Sequence, residues 1–340
     1  MRDIGNEKTE IILKRIEDNI RSEYEKAQRD VIKKLKSYLT QFEEEDVLQH
    51  ERLDQGLISM NDYLDWRRRH ILMNKQWEDM RDALANELHR VNEKAMQMAR
   101  RQMPEVFALN ANAAGYQIEH DYGVDTRFTL YNRQAAERIL AGKGRLLPAP
   151  SKKKALELWE NPDVAWNEKL VQSAVLQGIL QGESMDKVAK RLIGVTEMDY
   201  RAAIRNARTM TTSAQNAGRE DAYKQMDENG TKLTIVWLAT LDNRTRHEHR
   251  QMHGEVKKGE YFSNGLRYPG DPAGDPSEVY NCRCQERAFI KGMEEVPAHS
   301  PKLGDQTFDE WLNGKSLTKE QEQQWIKDGK PPMRHGRLER

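Results

Sequence analysis

The run Asp242-Asn243-Arg244-Thr245-Arg246-His247-Glu248-His249-Arg250-Gln251-Met252-His253-Gly254 and, further on, Tyr280-Asn281-Cys282-Arg283-Cys284 organise this chain. Three of its nine histidines and both of its cysteines fall here. On a helical turn the i,i+4 spacing puts His249 and His253 on one face. Cys282 and Cys284, two apart on an extended segment, point the same way. Two nitrogens and two sulfurs are the ligand set of a closed tetrahedral zinc site, so the expected metal residues are His249, His253, Cys282 and Cys284 and the expected cofactor is structural zinc. Asn264-Gly265 and Tyr268-Pro269-Gly270-Asp271-Pro272 lie between the two halves and let the chain double back. The alternative leaves the cysteines as small buried hydrophobes and the histidines as hydrogen-bonded core or surface groups.

A Cys282–Cys284 disulfide is disfavoured, because one intervening residue on an extended segment holds the sulfurs in poor geometry. Asp242, Arg244, Arg246, His249 and Gly254, a Tyr268-Pro269-Gly270 loop and a closing Asn281 to Cys284 together resemble the signature of the Mu F-like phage head morphogenesis family. These are minor capsid proteins of tailed bacteriophages. The resemblance covers roughly residues 150–290 and implies a non-enzymatic minor head protein, present in few copies near the portal. It implies assembly partners such as the portal protein, a scaffold or the major capsid protein, and a multimer around the portal. Contact with packaged DNA stays open. The implied location is the virion head, with the host cytoplasm during assembly. Within the pattern Asp242, Arg244, Arg246 and Asn281 stand as an interaction or structural motif. In the family an acidic residue commonly follows Arg208-Thr209, and Met210 stands there instead.

At 340 residues the chain is long enough for two domains, but 37% hydrophobic and 32% charged residues with mean hydropathy −0.92 are too polar for one large globular core. Long helices with solvated faces fit better. Lys+Arg and Asp+Glu balance at 55 each, so no net field draws the whole molecule to nucleic acid. Two cysteines exclude a disulfide framework, and no apolar run approaches the roughly 20 residues of a membrane span. The opening residues carry no apolar signal core, and a cytosolic product is expected.

From Thr9 to Phe42 apolar residues recur every three or four positions, which predicts one long amphipathic helix. Glu43 to Asp46 reads as a solvated acidic turn of helix or a break. Ser59 caps a second long helix, with Asp62 three residues on. Its stripe, from Trp66 through His70, Trp77 and Leu84 to Met98, is close to coiled-coil heptad spacing and suits antiparallel packing on the first helix; His70 reads as a partly buried structural histidine. Pro104 predicts a break near Met103, Ala113-Ala114-Gly115 and Tyr122-Gly123 predict turns, and Arg127 to Tyr131 predicts a short strand. Gly142 to Lys154 reads as a basic linker. Helices follow at Asn167 to Leu180, after a Ser184 cap, and from a Thr196 cap to about Met226. A strand follows at Leu233 to Ala239 and a closing strand near Arg287 to Ile290. Arg244 and Arg246 are placed to pair with Asp242, Glu248 or Glu255. Tail helices are expected at Phe308 to Leu312 and Thr318 to Ile326, with a mobile end.

No phosphate-cradling Gly-Lys-Ser/Thr loop, nucleophile elbow or His-Glu-x-x-His occurs. A metal-dependent nuclease or toxin-like domain built on His247, Glu248, His249 and Asp242 is the alternative function. The expected fold is mainly α with a small α+β C-terminal module: a helical hairpin at 1–104, a mixed connector at 105–154, the Mu F-like segment at 155–295 with strands around 232–241 and 282–290, and a tail at 296–340.

Overall fold

The computed structural model describes residues 3–72, 75–142, 146–148, 162–181, 183–293 and 307–316. In chain order these form α1 (Ile4–Asp54), α2 (Met60–Leu72), α3 (Lys75–Tyr122), α4 (Arg133–Gly142), α5 (Pro162–Leu180), α6 (Met185–Glu228), β1 (Leu233–Leu238), α7 (His247–Gln251), α8 (Pro276–Val279), β2 (Gln285–Ile290) and α9 (Phe308–Ser316). The protein is mainly helical, and β1 and β2 pair antiparallel with Leu233 opposite Ile290 and Leu238 opposite Gln285. No described helix is long and apolar enough to cross a membrane.

The chain divides into two compact units, one from residues 17–98 and 151–204, the other from 1–16, 99–150 and 205–340. Each is assembled from separated segments, unlike the consecutive segments expected from sequence, because α1, α3 and α6 each run from one unit into the other.

In the first unit the α1 stripe Ile20, Tyr24, Ala27, Val31 and Leu35 is buried as its period requires. It packs antiparallel on α3: Glu23 meets Lys94 at 2.7 Å, while Val31 and Leu35 share a core with Trp77, Met80, Leu84 and Leu88. Val171 and Val175 of α5 and Val188, Leu192 and Val195 of α6 complete that core. Ser59 and Asp62 cap α2 reciprocally, the Asp62 carboxylate accepting the Ser59 N–H at 3.0 Å and the Ser59 hydroxyl accepting the Asp62 N–H at 3.2 Å. The acidic run continues as helix rather than breaking. Its Asp46 accepts the Tyr63 hydroxyl at 2.9 Å and pairs with Arg67 at 3.2 Å, fixing α2 beside α1. His70 is exposed rather than half-buried, stacked on Trp66 at 4.9 Å and paired with Glu45 at 3.1 Å.

Four local expectations give way to tertiary packing. Helix α3 continues through Pro104, since Met103, Val106 and Phe107 around it are fully buried and that burial offsets the lost hydrogen bond. Ala113-Ala114-Gly115 lies inside α3, whereas Gly123, at φ 64°, does end it. Residues 127–131 form no strand; Asn112 Oδ1 and Gln225 Oε1 accept the Tyr131 and Thr129 N–H groups in place of a ladder. Thr196 does not cap a helix but sits inside α6, its hydroxyl donating to the Leu192 carbonyl one turn back at 3.2 Å.

The second unit has its own core: Phe107, Ala111, Ile118 and Tyr122 of α3, Ala217, Tyr223 and Met226 of α6, Ala288 and Ile290 of β2, and Phe308 and Trp311 of α9. Here α3 and α6 touch backbone to backbone, and a Cβ at Gly218 would stand 2.3 Å from the Phe107 carbonyl oxygen. The expected tail helix after Thr318, the chain end and most of the basic linker lie outside the described residues.

Candidate functional site

The second unit also holds a small separate core of Trp237, Ala239, Met252, Phe262, Leu266, Cys282 and Cys284. Strand β1 delivers Trp237, whose ring is 0% exposed and meets Phe262 edge-on at 5.1 Å and His249 at 5.4 Å. Past the strand, Asp242 receives the Arg244 N–H at 2.9 Å and Arg250 donates to the Asp242 carbonyl at 2.6 Å, which turns the chain into α7. The buried residue of that short helix is His249.

His249, Cys282 and Cys284 come together, 1%, 2% and 2% exposed. His249 Nδ1 stands 3.7 Å from Cys282 Sγ and 3.5 Å from Cys284 Sγ. These three ligand atoms all lie within 4.8 Å of one another, the metal-competent group of His, Cys, Asp and Glu found among the described residues. On the far side of the ring Nε2 meets Glu278 Oε2 at 2.9 Å.

His253 is not part of the group. The i,i+4 reading needs one helix through both histidines, and α7 ends at Gln251, with Gly254 reversing the chain at φ 84°. Beyond α7 the chain returns along β1, where Gly254 N–H donates to Trp237 carbonyl at 2.9 Å and Trp237 N–H donates to Glu255 carbonyl at 2.9 Å. His253 Nδ1 accepts the Ala239 N–H at 3.2 Å in that arrangement.

Glu278 was not singled out by the sequence reading. It rides on α8, which Asp275 caps by accepting the Ser277 N–H at 2.8 Å. The Asp-Pro-Ser-Glu run, an N-cap with proline at the next position, was the signal that could have placed a helix there. After α8, Asn281 takes the left-handed conformation at φ 57°, one that asparagine tolerates better than most residues, and turns the chain into the cysteine segment.

That segment is held by one polar face of α6. Thr209 Oγ1 accepts the Asn281 N–H at 3.1 Å, and Thr212 Oγ1 donates to the Cys282 carbonyl at 2.8 Å. Asn216 Nδ2 donates to the Pro269 and Cys284 carbonyls at 2.9 and 3.0 Å, and its Oδ1 accepts the Glu286 N–H at 3.2 Å. Arg219 donates to the Glu286 carbonyl at 3.1 Å. Spacings of three, four and three put these side chains on one helical face, and all four are at most 8% exposed. Moving the loop would strip these buried groups of the partners they have, so the face specifies one position for it. Met210, next to Thr209, is fully buried.

Arg283, between the cysteines, grips the Asp242 carboxylate with both arms at 2.6 and 2.7 Å. That grip is the first cause that holds Asp242 well below the ordinary carboxylate range. Arg246 donates to the Glu278 and Tyr280 carbonyls. The expected partners therefore change: Asp242 pairs with Arg283, Arg246 ties down backbone, and Glu255 accepts from Ser263 at 2.7 Å. The Arg244 side chain is exposed. His247 meets Gln251 at 3.0 Å and Glu248 is exposed, so Asp242, His247, Glu248 and His249 do not form a metal-competent group among the described residues.

The thiols are not equivalent. Cys284 is drawn down to about 5, first by its hydrogen bond with Cys282 and then by His249, against the cost of burial. Cys282 is pushed well above the usual thiol value by the same bond and by burial. Burial works against protonation of His249, yet its contacts with Cys284 and Glu278 outweigh that and raise its pKa. The cluster thus favours a thiolate at Cys284, the form that binds soft metal ions.

Residues 169–287 match the family model described as Phage Mu protein F like protein, which takes in α6, β1, α7, α8, the cysteines and the first half of β2. The minor head protein GP7 of Bacillus phage SPP1 is 26% identical over 191 residues, 54% of this chain and 58% of that protein. The NAD(+)--arginine ADP-ribosyltransferase EFV of Enterococcus faecalis is 29% identical over 148 residues, 42% of this chain but 30% of that protein. An uncharacterized protein of Haemophilus influenzae is 27% identical over 138 residues, 40% of this chain and 28% of that protein. The chain thus spans less than two thirds of the length of each of these relatives. No solved structure matches it.

Proposed function

We propose that this chain is a minor head component of a tailed bacteriophage, acting in head morphogenesis by binding other head proteins rather than by catalysis. The supporting observation is the Phage Mu protein F like match over residues 169–287, which falls on the segment whose loops α6 holds in place. The likeness to a phage minor head protein over 54% of the chain points the same way. The partners of this reading are the portal protein, a scaffold or the major capsid protein, and its setting is the virion head after assembly in the host cytoplasm. Contact with packaged DNA belongs to the same proposal. The long α1 and α3 helices supply exposed polar surface for such contacts.

The test is co-expression of tagged chain with the portal, scaffold and major capsid proteins of a cognate phage head, followed by gradient purification of heads. Co-sedimentation with heads, lost when the chain is omitted from assembly and added afterwards, supports the reading. Absence from every head species contradicts it.

The metal-dependent nuclease has less support, because the Asp242 carboxylate is engaged by Arg283 and His249 faces the two sulfurs. The transferase activity named for the Enterococcus relative belongs to a protein of which this chain spans 30%. Purified chain incubated with plasmid and divalent ions, or with NAD(+) and an arginine-rich acceptor, checks both activities.

A further inference from the structure

We propose that His249 Nδ1, Cys282 Sγ and Cys284 Sγ bind one zinc(II) ion, with Glu278 as the residue that positions the imidazole. The site goes beyond the head-assembly reading and does not depend on it.

The spacing comes first. Zinc bonds of about 2.3 Å to sulfur and about 2.0 to 2.1 Å to nitrogen, at tetrahedral angles, separate the two ligand atoms by about 3.6 Å. The observed separations are 3.7 and 3.5 Å. Two sulfurs converge on one ring nitrogen, which has a single lone pair or a single proton to share. An ion at the centre would be reached by all three atoms at once.

The tautomer fits as well. A hydrogen on Nε2 donated to Glu278 Oε2 at 2.9 Å leaves the Nδ1 lone pair facing the sulfurs. That carboxylate–imidazole–metal relay recurs in zinc proteins and fixes the ring orientation. Charge is also balanced: two thiolates, a neutral imidazole and a divalent cation sum to zero, which suits residues 1% and 2% exposed. On binding, the thiol protons pass to solvent and no redox partner is needed. Soft sulfur with imidazole selects zinc over magnesium or calcium, and two cysteines are too few for an iron–sulfur cluster.

The frame is built for constancy of position. Thr212 and Asn216 fix the carbonyls of Cys282 and Cys284, and Trp237 walls the imidazole. An ion here joins α7 to the β2 approach, segments 33 and 35 residues apart in sequence, so its role is to fasten the loops.

The test measures metal in the full chain, purified with reductant and without chelator, then dialysed against zinc. The expected result is about one zinc per chain. Cobalt(II) substitution should give thiolate-to-metal charge-transfer absorption with the strong visible bands of a tetrahedral site. His253→Gln should keep full stoichiometry, because His253 bonds the Ala239 N–H. Glu278→Gln should keep stoichiometry in excess zinc yet bind about 10- to 100-fold more weakly against a chromogenic chelator. Cys284→Ser should lose the ion; where that variant does not fold, alkylation of the wild-type thiols supplies the answer, and zinc should slow it. Metal far below one per chain together with zinc-independent alkylation overturns the site. Loss of zinc in His253→Gln overturns the three-residue ligand set.

Discussion

The Asn216 side-chain amide stands 3.0 Å from the carbonyl oxygen of Cys284, across 68 residues of sequence. The same amide reaches Pro269, and its oxygen takes the N–H of Glu286, so one buried residue joins α6 to three points of the C-terminal loops.

Asn216→Ala leaves buried carbonyls and an N–H without partners and should cost on the order of 3 kcal/mol. Amide hydrogen exchange should rise across residues 281–288 while the α1–α3 pairing stays protected. Uniform loss of protection in both units would show that Asn216 does not act locally.

Gly218→Ala places a methyl group where the Phe107 carbonyl oxygen lies 2.3 Å away. Backbone cannot step aside as a flexible side chain does, so the substitution should destabilise the second unit by about 1–3 kcal/mol despite the higher helix propensity of alanine. Thermal unfolding followed by circular dichroism measures it, and a rise in midpoint would contradict the close approach of α3 and α6.

Glu119 gathers Trp311 Nε1 at 2.8 Å, Lys315 Nζ at 2.6 Å and Thr126 Oγ1 at 2.8 Å, and both Glu119 and Lys315 side chains are 6% exposed. Glu119→Ala removes the carboxylate partner of a buried ammonium and should cost about 3–5 kcal/mol. Helix α9 should undock, seen as faster proteolysis within residues 308–316. Unchanged protease resistance would mean that Phe308 and Trp311 suffice to hold it.

Asp271 is 1% exposed, and burial by itself would raise its pKa. Arg267, at 2.7 Å from each oxygen, and the Ala273 N–H at 3.0 Å overcome that and hold the carboxyl below its ordinary value. A depressed folded-state pKa means stability that is present above the unfolded value of about 3.9 and lost as pH falls through the folded one. Asp271→Asn should therefore destabilise at neutral pH by about 1–3 kcal/mol and weaken the dependence on pH below about 4. An acid limb as steep as that of the parent protein would contradict the assignment.

The elements carried by an unbroken period were legible in the sequence. The α1 stripe, the apolar run of β1 and the Ser59–Asp62 cap report local geometry that packing then uses. The meeting of His249 with Cys282 and Cys284 was legible too, because the residue types limit what can gather there. Pro104 and Thr196 misled because each is a local helix signal overruled by buried neighbours. His253 misled because a spacing of four implies one face only while the helix lasts, and α7 stops two residues earlier. Glu278 and the α6 polar face were hidden for another reason: the helical spacing of Thr209, Thr212, Asn216 and Arg219 reads as a solvated face, and their partners and that of Glu278 are backbone atoms or one ring nitrogen far along the chain.

X-ray absorption at the zinc edge on the reduced, zinc-loaded full chain tests the centre most directly. The account predicts a first shell with two sulfurs near about 2.3 Å and imidazole nitrogen near about 2.0 Å, with the outer-ring scattering of a single histidine. A shell of oxygens alone, or scattering from two histidines, would contradict it.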